Sequence, residues 1–314
     1  MKRKTPIIAL SIALVGGAVA YAVAPLMGWG ASDPRFVPAD TVIARAPVLT
    51  VHVPDTMDFA GEPVPLHLFD VRESLDRELT SCAYWHTQTM LIIKKADRFF
   101  SIIEPILKAE GMPDDFKYLA ITESNLVPTA VSPSNAVGLW QILEGTAKEL
   151  GLEVGPEVDE RYHIEKSTVA ACRYLKRIYE RTGSWTMAAA SYNNGPNGLA
   201  RQVERQGEDC YYNLLLNTET ARYVFRILAF KALLTDPQRY GFMLKATDIY
   251  PRYRYREVQV DSAITNLALF ARQQGINYKM LKTLNPWLRD NTLTNKKKRT
   301  YTIKIATNRP PTWP

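Results

Sequence analysis

Apolar positions recur at three- and four-residue steps from near Tyr84 through Phe99, Phe100, Ile103 and Leu107, and the run stops at Gly111-Met112-Pro113. That spacing predicts an amphipathic helix closed by its breakers. Pro113 with Asp114 and Asp115 then predicts a new helix start, because proline suits the first turn and acids suit the positive end of the dipole. Phe116, Leu119 or Ala120, and Glu123 share one stripe of that helix. Further amphipathic helices are predicted over about 144–151, 166–182, 185–192, 196–206 and 219–234, so this stretch reads as all α. From Tyr253 the period changes: 254–260 alternate like a strand, 261–274 and 278–284 read as helices, and 301–305 as a closing strand. Upstream, residues 31–81 are rich in proline and short of helical periodicity. They read as a linker followed by a packing segment, with a short strand at 50–53.

Glu123 stands out. It is a carboxyl on an apolar stripe close to a predicted helix C-terminus, where it loses hydration and meets a partial negative charge. Both effects raise a carboxyl pKa towards the range of a general acid. The alternative is a frayed helix end with Glu123 turned into water.

Charge and cysteine usage narrow the classes. Residues 251–314 hold 13 Lys and Arg against 3 Asp and Glu, a net of +10 within a chain of +7, so residues 1–250 carry about −3. A basic C-terminal unit implies an anionic partner. Cys82, Cys172 and Cys210 are too few and too scattered for a disulfide framework or a metal motif, and Cys172 falls on a helical stripe with Val169, Leu175 and Ile178 as a buried thiol. The histidines show no ligand spacing, so neither a metal nor a cofactor is read. At the N-terminus, Lys2, Arg3 and Lys4 precede an apolar run from Pro6 to Trp29. This predicts export, which argues against nucleic acid as the anionic partner. Cleavage after Ala20 and retention as an uncleaved membrane anchor both remain open.

Four further segments follow Glu123-Ser124 in order. They are Ser132, Gly138-Leu139-Trp140-Gln141, Ser191-Tyr192-Asn193, and Glu219 to Tyr223. In this order and at these separations, over about residues 105–245, they resemble the lytic transglycosylase domain of the soluble-transglycosylase, lysozyme-like family. Ser191 stands where alanine is usual there. The β-α-α-β order, with Asp261-Ser262-Ala263-Ile264 and Leu284-Asn285-Pro286, resembles a LysM module. It departs at Val260, where a glycine is usual, and at Asn295-Lys296-Lys297-Lys298-Arg299, which replaces a Pro-Gly stretch. The expected fold is therefore mainly α: a lysozyme-like all-α domain with a small C-terminal LysM-like unit. The expected divisions are 1–30 as signal peptide or membrane anchor, 31–81 as linker and packing segment, 82–248 as the catalytic domain, and 251–306 as a degenerate, basic LysM-like unit.

The resemblance implies a peptidoglycan lytic transglycosylase, with glycan strands as partner and Glu123 as both acid and base. It implies sugar contacts for Ser132 and Gln141, a substrate-lining role for Tyr192 and Asn193, and completion of the site by Glu219 and Tyr223. Ser124 and Gly138 would support the backbone; Trp140 either stacks on a sugar or fills core. Ordinary glycosidases use two carboxylates, and no second one lies within the Glu123–Gln141 segment. The periplasm or envelope of a bacterium is the implied location, with cell-wall enzyme complexes as candidate partners and the membrane as a partner if the N-terminal segment is retained. A hydrolytic muramidase and a non-catalytic wall-binding protein remain as alternative readings.

Overall fold

The computed structural model describes residues 50–307. The expected signal peptide or anchor, residues 31–49 of the linker and packing segment, and the last seven residues lie outside that range. Among the described residues, no helix is long and apolar enough to cross a membrane.

A two-stranded hairpin, β1 (Asp58–Phe59) and β2 (Glu62–Pro63), opens the described chain. Ten α-helices follow, the first eight forming the larger helical body: α1 (Phe69–Tyr84), α2 (His86–Ala109), α3 (Phe116–Ser124), α4 (Glu144–Glu149), α5 (Ile164–Thr182), α6 (Trp185–Asn194), α7 (Pro196–Gln206) and α8 (Thr218–Thr235). Strand β3 (Tyr255–Val260), α9 (Leu267–Gln273), α10 (Tyr278–Leu284) and β4 (Tyr301–Ala306) complete it, with β3 and β4 antiparallel and Val258 opposite Ile303. The fold is mainly α, with a small β-α-α-β unit at its end.

The helix predicted from near Tyr84 to the breakers at Gly111-Met112-Pro113 forms as α2 because Ile92, Ile93, Ala96, Phe99, Ile103 and Leu107 bury one continuous face. Residues 50–53 form no strand, and the pairing occurs eight residues later at the hairpin. More importantly, all but the last three residues of α1 lie inside the stretch that read as non-helical. Its Val71, Leu75 and Leu79 are buried, and it packs along α8. The hairpin does similar work. Phe59 is fully buried edge-to-face on Phe116, 5.3 Å between ring centres. The Glu62 carboxylate accepts from the backbone N–H groups of Trp185 and Thr186 at the positive end of α6. Proline spacing hid a segment whose apolar residues are core.

Helix α3 begins at Phe116, three residues after the expected proline start, because Pro113–Asp115 form the preceding turn. Asp115 is occupied elsewhere: it accepts from Ala60 N–H at 2.7 Å and pairs with Lys231 on α8 at 2.7 Å. Likewise α9 starts at Leu267, not 261, since Asn266 caps it by accepting from Leu269 N–H.

The β-α-α-β unit is not a free-standing appendage. Its core residues Val260, Leu267, Leu281, Trp287, Leu288 and Ile303 form one buried cluster with Val137, Val158 and Tyr162 of the helical body. Asp159 N–H donates to Trp287 O at 3.0 Å, and Arg289 N–H donates to Glu157 O at 2.8 Å. Lys304 pairs with Glu165, and Tyr301 Oη donates to Glu153 at 2.8 Å. The 295–299 stretch that departs from the LysM pattern is a turn built by Asn295, whose side chain bonds Asp261 O, Arg299 O and Arg299 N. Its Arg299 faces Glu153.

Candidate active site

Helix α3 ends one residue after Glu123. Asn125 and Leu126 both take positive φ, 52° and 55°, and so break the helix at once. Two adjacent non-glycine residues in that region are a strained exit, held here because Leu126 is buried. Ser124 fixes the same corner: its hydroxyl donates to Ala120 O at 3.0 Å and to Leu139 O at 2.9 Å.

That second bond ties α3 to the loop 130–142. Within the loop, Ser132 Oγ accepts from Ala136 N–H, and Gln141, at φ 46°, donates its amide nitrogen to Gly138 O at 2.8 Å and Ala130 O at 3.3 Å. Gln141 thus spends its N–H donors on the loop, and its amide oxygen carries no such bond among the described residues. Gly138 sits at φ +82°, and a β-carbon there would fall 2.2 Å from Arg161 O, so the position requires glycine on two counts. Trp140 is fully buried, its indole N–H donating to Thr168 Oγ1 at 2.9 Å. It fills core and offers no face to a sugar. Its carbonyl accepts from Tyr192 Oη at 2.6 Å, which brings α6 to the same loop.

Helix α8 supplies the fourth wall. Tyr223 is buried and its phenol donates to Glu123 Oε1. Glu123 is partly buried, and burial pushes its carboxyl up to about 7 from an ordinary 4.5. The nearby Glu219 carboxylate adds to the rise, while the Tyr223 bond and the Arg226 charge oppose it. The shift follows mainly from lost hydration. Burial likewise holds the Tyr192 and Tyr223 phenols well above their usual range, so both remain protonated donors.

Glu123, Ser124, Gly138, Gln141, Tyr192 and Tyr223 are thereby linked around the carbonyls of Leu139 and Trp140. Asn193 is set differently, its Oδ1 accepting from Thr220 Oγ1 at 2.8 Å. Glu219 is exposed and paired with Arg226 at 3.1 Å, so it acts on Glu123 through charge and not by contact.

Sequence reasoning missed the brace behind the loop. Arg161 is buried, forked onto Asp159 (2.7 Å and 3.0 Å), and donates to Asn135 O at 3.1 Å and Ile142 O at 3.4 Å. In sequence it lies within three consecutive charged residues, Asp159-Glu160-Arg161, with nothing local to mark it as a brace. Among the described residues, no group of three or more His, Cys, Asp or Glu could hold a metal ion.

At this corner a carboxyl with a raised pKa lies at a helix end, bonded to the Tyr223 phenol, with the Tyr192 phenol on Trp140 O and a glycine-turned loop beside it. Comparison with known proteins places the chain. Residues 100–215 match the transglycosylase SLT domain, and residues 256–309 match the soluble lytic transglycosylase C-terminal LysM-like domain; the chain carries both. It is similar to membrane-bound lytic murein transglycosylase D of Escherichia coli, with 30% identity over 247 residues, covering 76% of this chain and 53% of that protein. It is also similar to peptidoglycan transglycosylase gp16 of Escherichia phage T7, with 38% identity over 95 residues, covering 29% of this chain and 7% of that protein. The crystal structure of the 70 kDa soluble lytic transglycosylase of Escherichia coli aligns with 23% identity and a TM-score of 0.39, over 49% of this chain and 26% of that one. The chain spans about half the length of the first of these relatives.

Proposed function

We propose that this protein is a lytic transglycosylase of the bacterial cell envelope that cleaves the β-1,4 bond between N-acetylmuramic acid and N-acetylglucosamine in peptidoglycan. The observation that carries the reading is Glu123, with its carboxyl near 7, bonded to one phenol and lacking a carboxylate in contact. Near neutral pH such a group populates both its acid and its base form, which a one-residue mechanism requires.

In that mechanism protonated Glu123 gives its proton to the glycosidic oxygen as the C1–O bond breaks, and the substrate's own N-acetyl group stabilises the cationic C1. The departing sugar leaves with that proton. Glu123, now ionised, takes the proton of the C6 hydroxyl while its oxygen bonds to C1, giving a 1,6-anhydromuramoyl end and restoring the acid. Tyr223 Oη steadies the ionised form. Gln141 directs its free amide oxygen, and Asn193 its amide N–H, towards sugar groups; Ser132 holds the loop that carries Gln141. Tyr192 sets the height of that loop through Trp140 O.

Mass spectrometry of fragments released from purified sacculi tests the reaction. Anhydro ends are expected. Reducing ends would make the protein a hydrolytic muramidase acting through the same acid.

A further inference from the structure

A cavity of about 560 Å³ opens where the β-α-α-β unit meets α2 and the chain leaving the Glu123 helix. Ligand sites commonly fall between roughly 300 and 1,000 Å³. Its wall carries five cations, Lys95, Arg98, Arg252, Lys282 and Lys304, and no Asp or Glu. Two of these are neutralised from behind, Arg252 by Asp97 at 2.6 Å and Lys304 by Glu165. Among the described residues the other three have no carboxylate partner within salt-bridge distance. Lys95 donates to Asn125 O at 2.6 Å, Arg98 to Pro251 O at 2.8 Å and Tyr253 Oη at 3.2 Å, and Lys282 to the carbonyls of Leu288 and Asp290. The nearby Asp290 carboxylate is turned to Asn291 N–H.

These half-buried cations face carbonyl dipoles and aromatic rings, Arg98 lying over Tyr253 at 4.3 Å and Lys282 over Tyr278 at 5.7 Å. Such partners compensate them less than a full counter-charge would, and burial depresses both the Lys95 and the Lys282 ammonium groups. Tyr253, Tyr255, Phe99, Leu126 and Pro128 supply an aromatic and apolar lining between the charges. The wall at 126–129 begins three residues after Glu123, and Lys95 grips the carbonyl of the residue that ends the Glu123 helix. This cavity is separate from the Glu123–Tyr223–Gln141 cluster, none of whose residues lines it.

We propose that this cavity binds an acidic peptide through its carboxylates, seating them on Arg98, Lys282 and Lys95. If the proposed activity is right, on which this identification of the source rests, the peptide is the stem attached to the glycan, and the protein holds its substrate at two places, by sugar at Glu123 and by stem at the unit junction.

The test uses the full chain carrying Glu123→Gln, so that turnover does not enter. Calorimetric titration with free stem peptide is expected to show binding at least tenfold tighter than the same peptide with its carboxylates amidated. Glycan strands stripped of stems should not compete. Arg98→Gln with Lys282→Gln should weaken the native peptide by at least tenfold while Tm stays within a few degrees. Should that variant unfold, the amidation comparison on the otherwise unaltered chain still decides. Equal affinity for native and amidated peptide, no binding of either, or full competition by stripped strands would overturn the site. Peptide binding by a protein that cuts no peptidoglycan would instead overturn the enzyme reading and leave the cavity's assignment standing.

Discussion

Glu78 and Glu123 both lie against helix α8, the first beside Arg222 and Arg226, the second beside Tyr223. Glu78 is 1% exposed and meets three guanidinium groups, from Arg77, Arg222 and Arg226, at 2.6 to 3.5 Å. Glu123, one residue from the end of α3, receives a phenol in place of a cation. Helical geometry explains the split. Arg222 and Arg226 are one turn apart and share a face, whereas Tyr223 is turned about 100° away by the 3.6-residue repeat. One helix therefore fixes a structural charge on one side and leaves a titratable acid on the other. What differs between the two carboxylates is the partner, guanidinium groups for Glu78 and a phenol for Glu123.

The largest effect tests the second half of that contrast. Glu123→Gln keeps the size and one acceptor of the side chain but can neither give nor take the proton. Turnover on sacculi should fall by 10²–10⁴-fold or more, the range that general acid–base catalysis supplies; a variant keeping a few per cent of activity would remove Glu123 from the chemistry.

Stability should separate the two acids by sign. Glu78→Leu removes the carboxylate shared by the part-exposed Arg222 and Arg226 and the exposed Arg77, while Arg226 keeps Glu219, and is expected to cost roughly 1–3 kcal/mol in urea denaturation. Glu123→Gln should instead stabilise. The folded carboxyl is raised from 4.5 to about 7, so the penalty for ionising it is absent below the unfolded value and grows as pH rises through 4.5 to 7. The gain should therefore approach a ceiling of about 3 kcal/mol at pH 8 and vanish near pH 4. A destabilised Gln variant at pH 8 would contradict the desolvated site.

Gly138→Ala sharpens the comparison from the loop side. The added methyl group meets Arg161 O and must adopt a positive φ. A loss of roughly 1–3 kcal/mol is expected, with a larger fall in activity than in secondary structure. Smallest is Tyr223→Phe. The lost phenol bond had favoured the ionised acid, so the Glu123 pKa should climb further, and the alkaline, descending limb of kcat/KM should move to higher pH by about one unit.

Much of the fold was legible because helical periodicity is strong where helices bury one face, as in 86–109 and 166–182. The segment 69–84 was not. Its helix alternates apolar residues with charges such as Glu78, whose burial depends on arginines 144 and more positions away, and proline density nearby suggested a linker. The site divides in the same way. Glu123 was visible because a carboxyl on an apolar stripe at a helix end is a local pattern. Tyr223 and Tyr192 came from resemblance, since nothing within their own helices marks which side chain reaches Glu123 or Trp140 O. Arg161 escaped both routes: its guanidinium braces the carbonyls of Asn135 and Ile142, 26 and 19 positions away, which no local spacing encodes. The helical body and the β-α-α-β unit share a core at Val158 and Leu288. That shared core also means that removing residues 251–314 would expose Val137, Val158 and Tyr162 directly behind the Gln141 loop.

The most direct measurement is a carbon-13 NMR titration of the Glu123 carboxyl in the free protein, run beside the pH dependence of kcat/KM on peptidoglycan strands. A carboxyl titrating near 7, with kcat/KM falling as pH rises through that same value, is the expected result. A carboxyl titrating near 4.5, or activity that stays level while it titrates, would contradict Glu123 as the acid and base of this site.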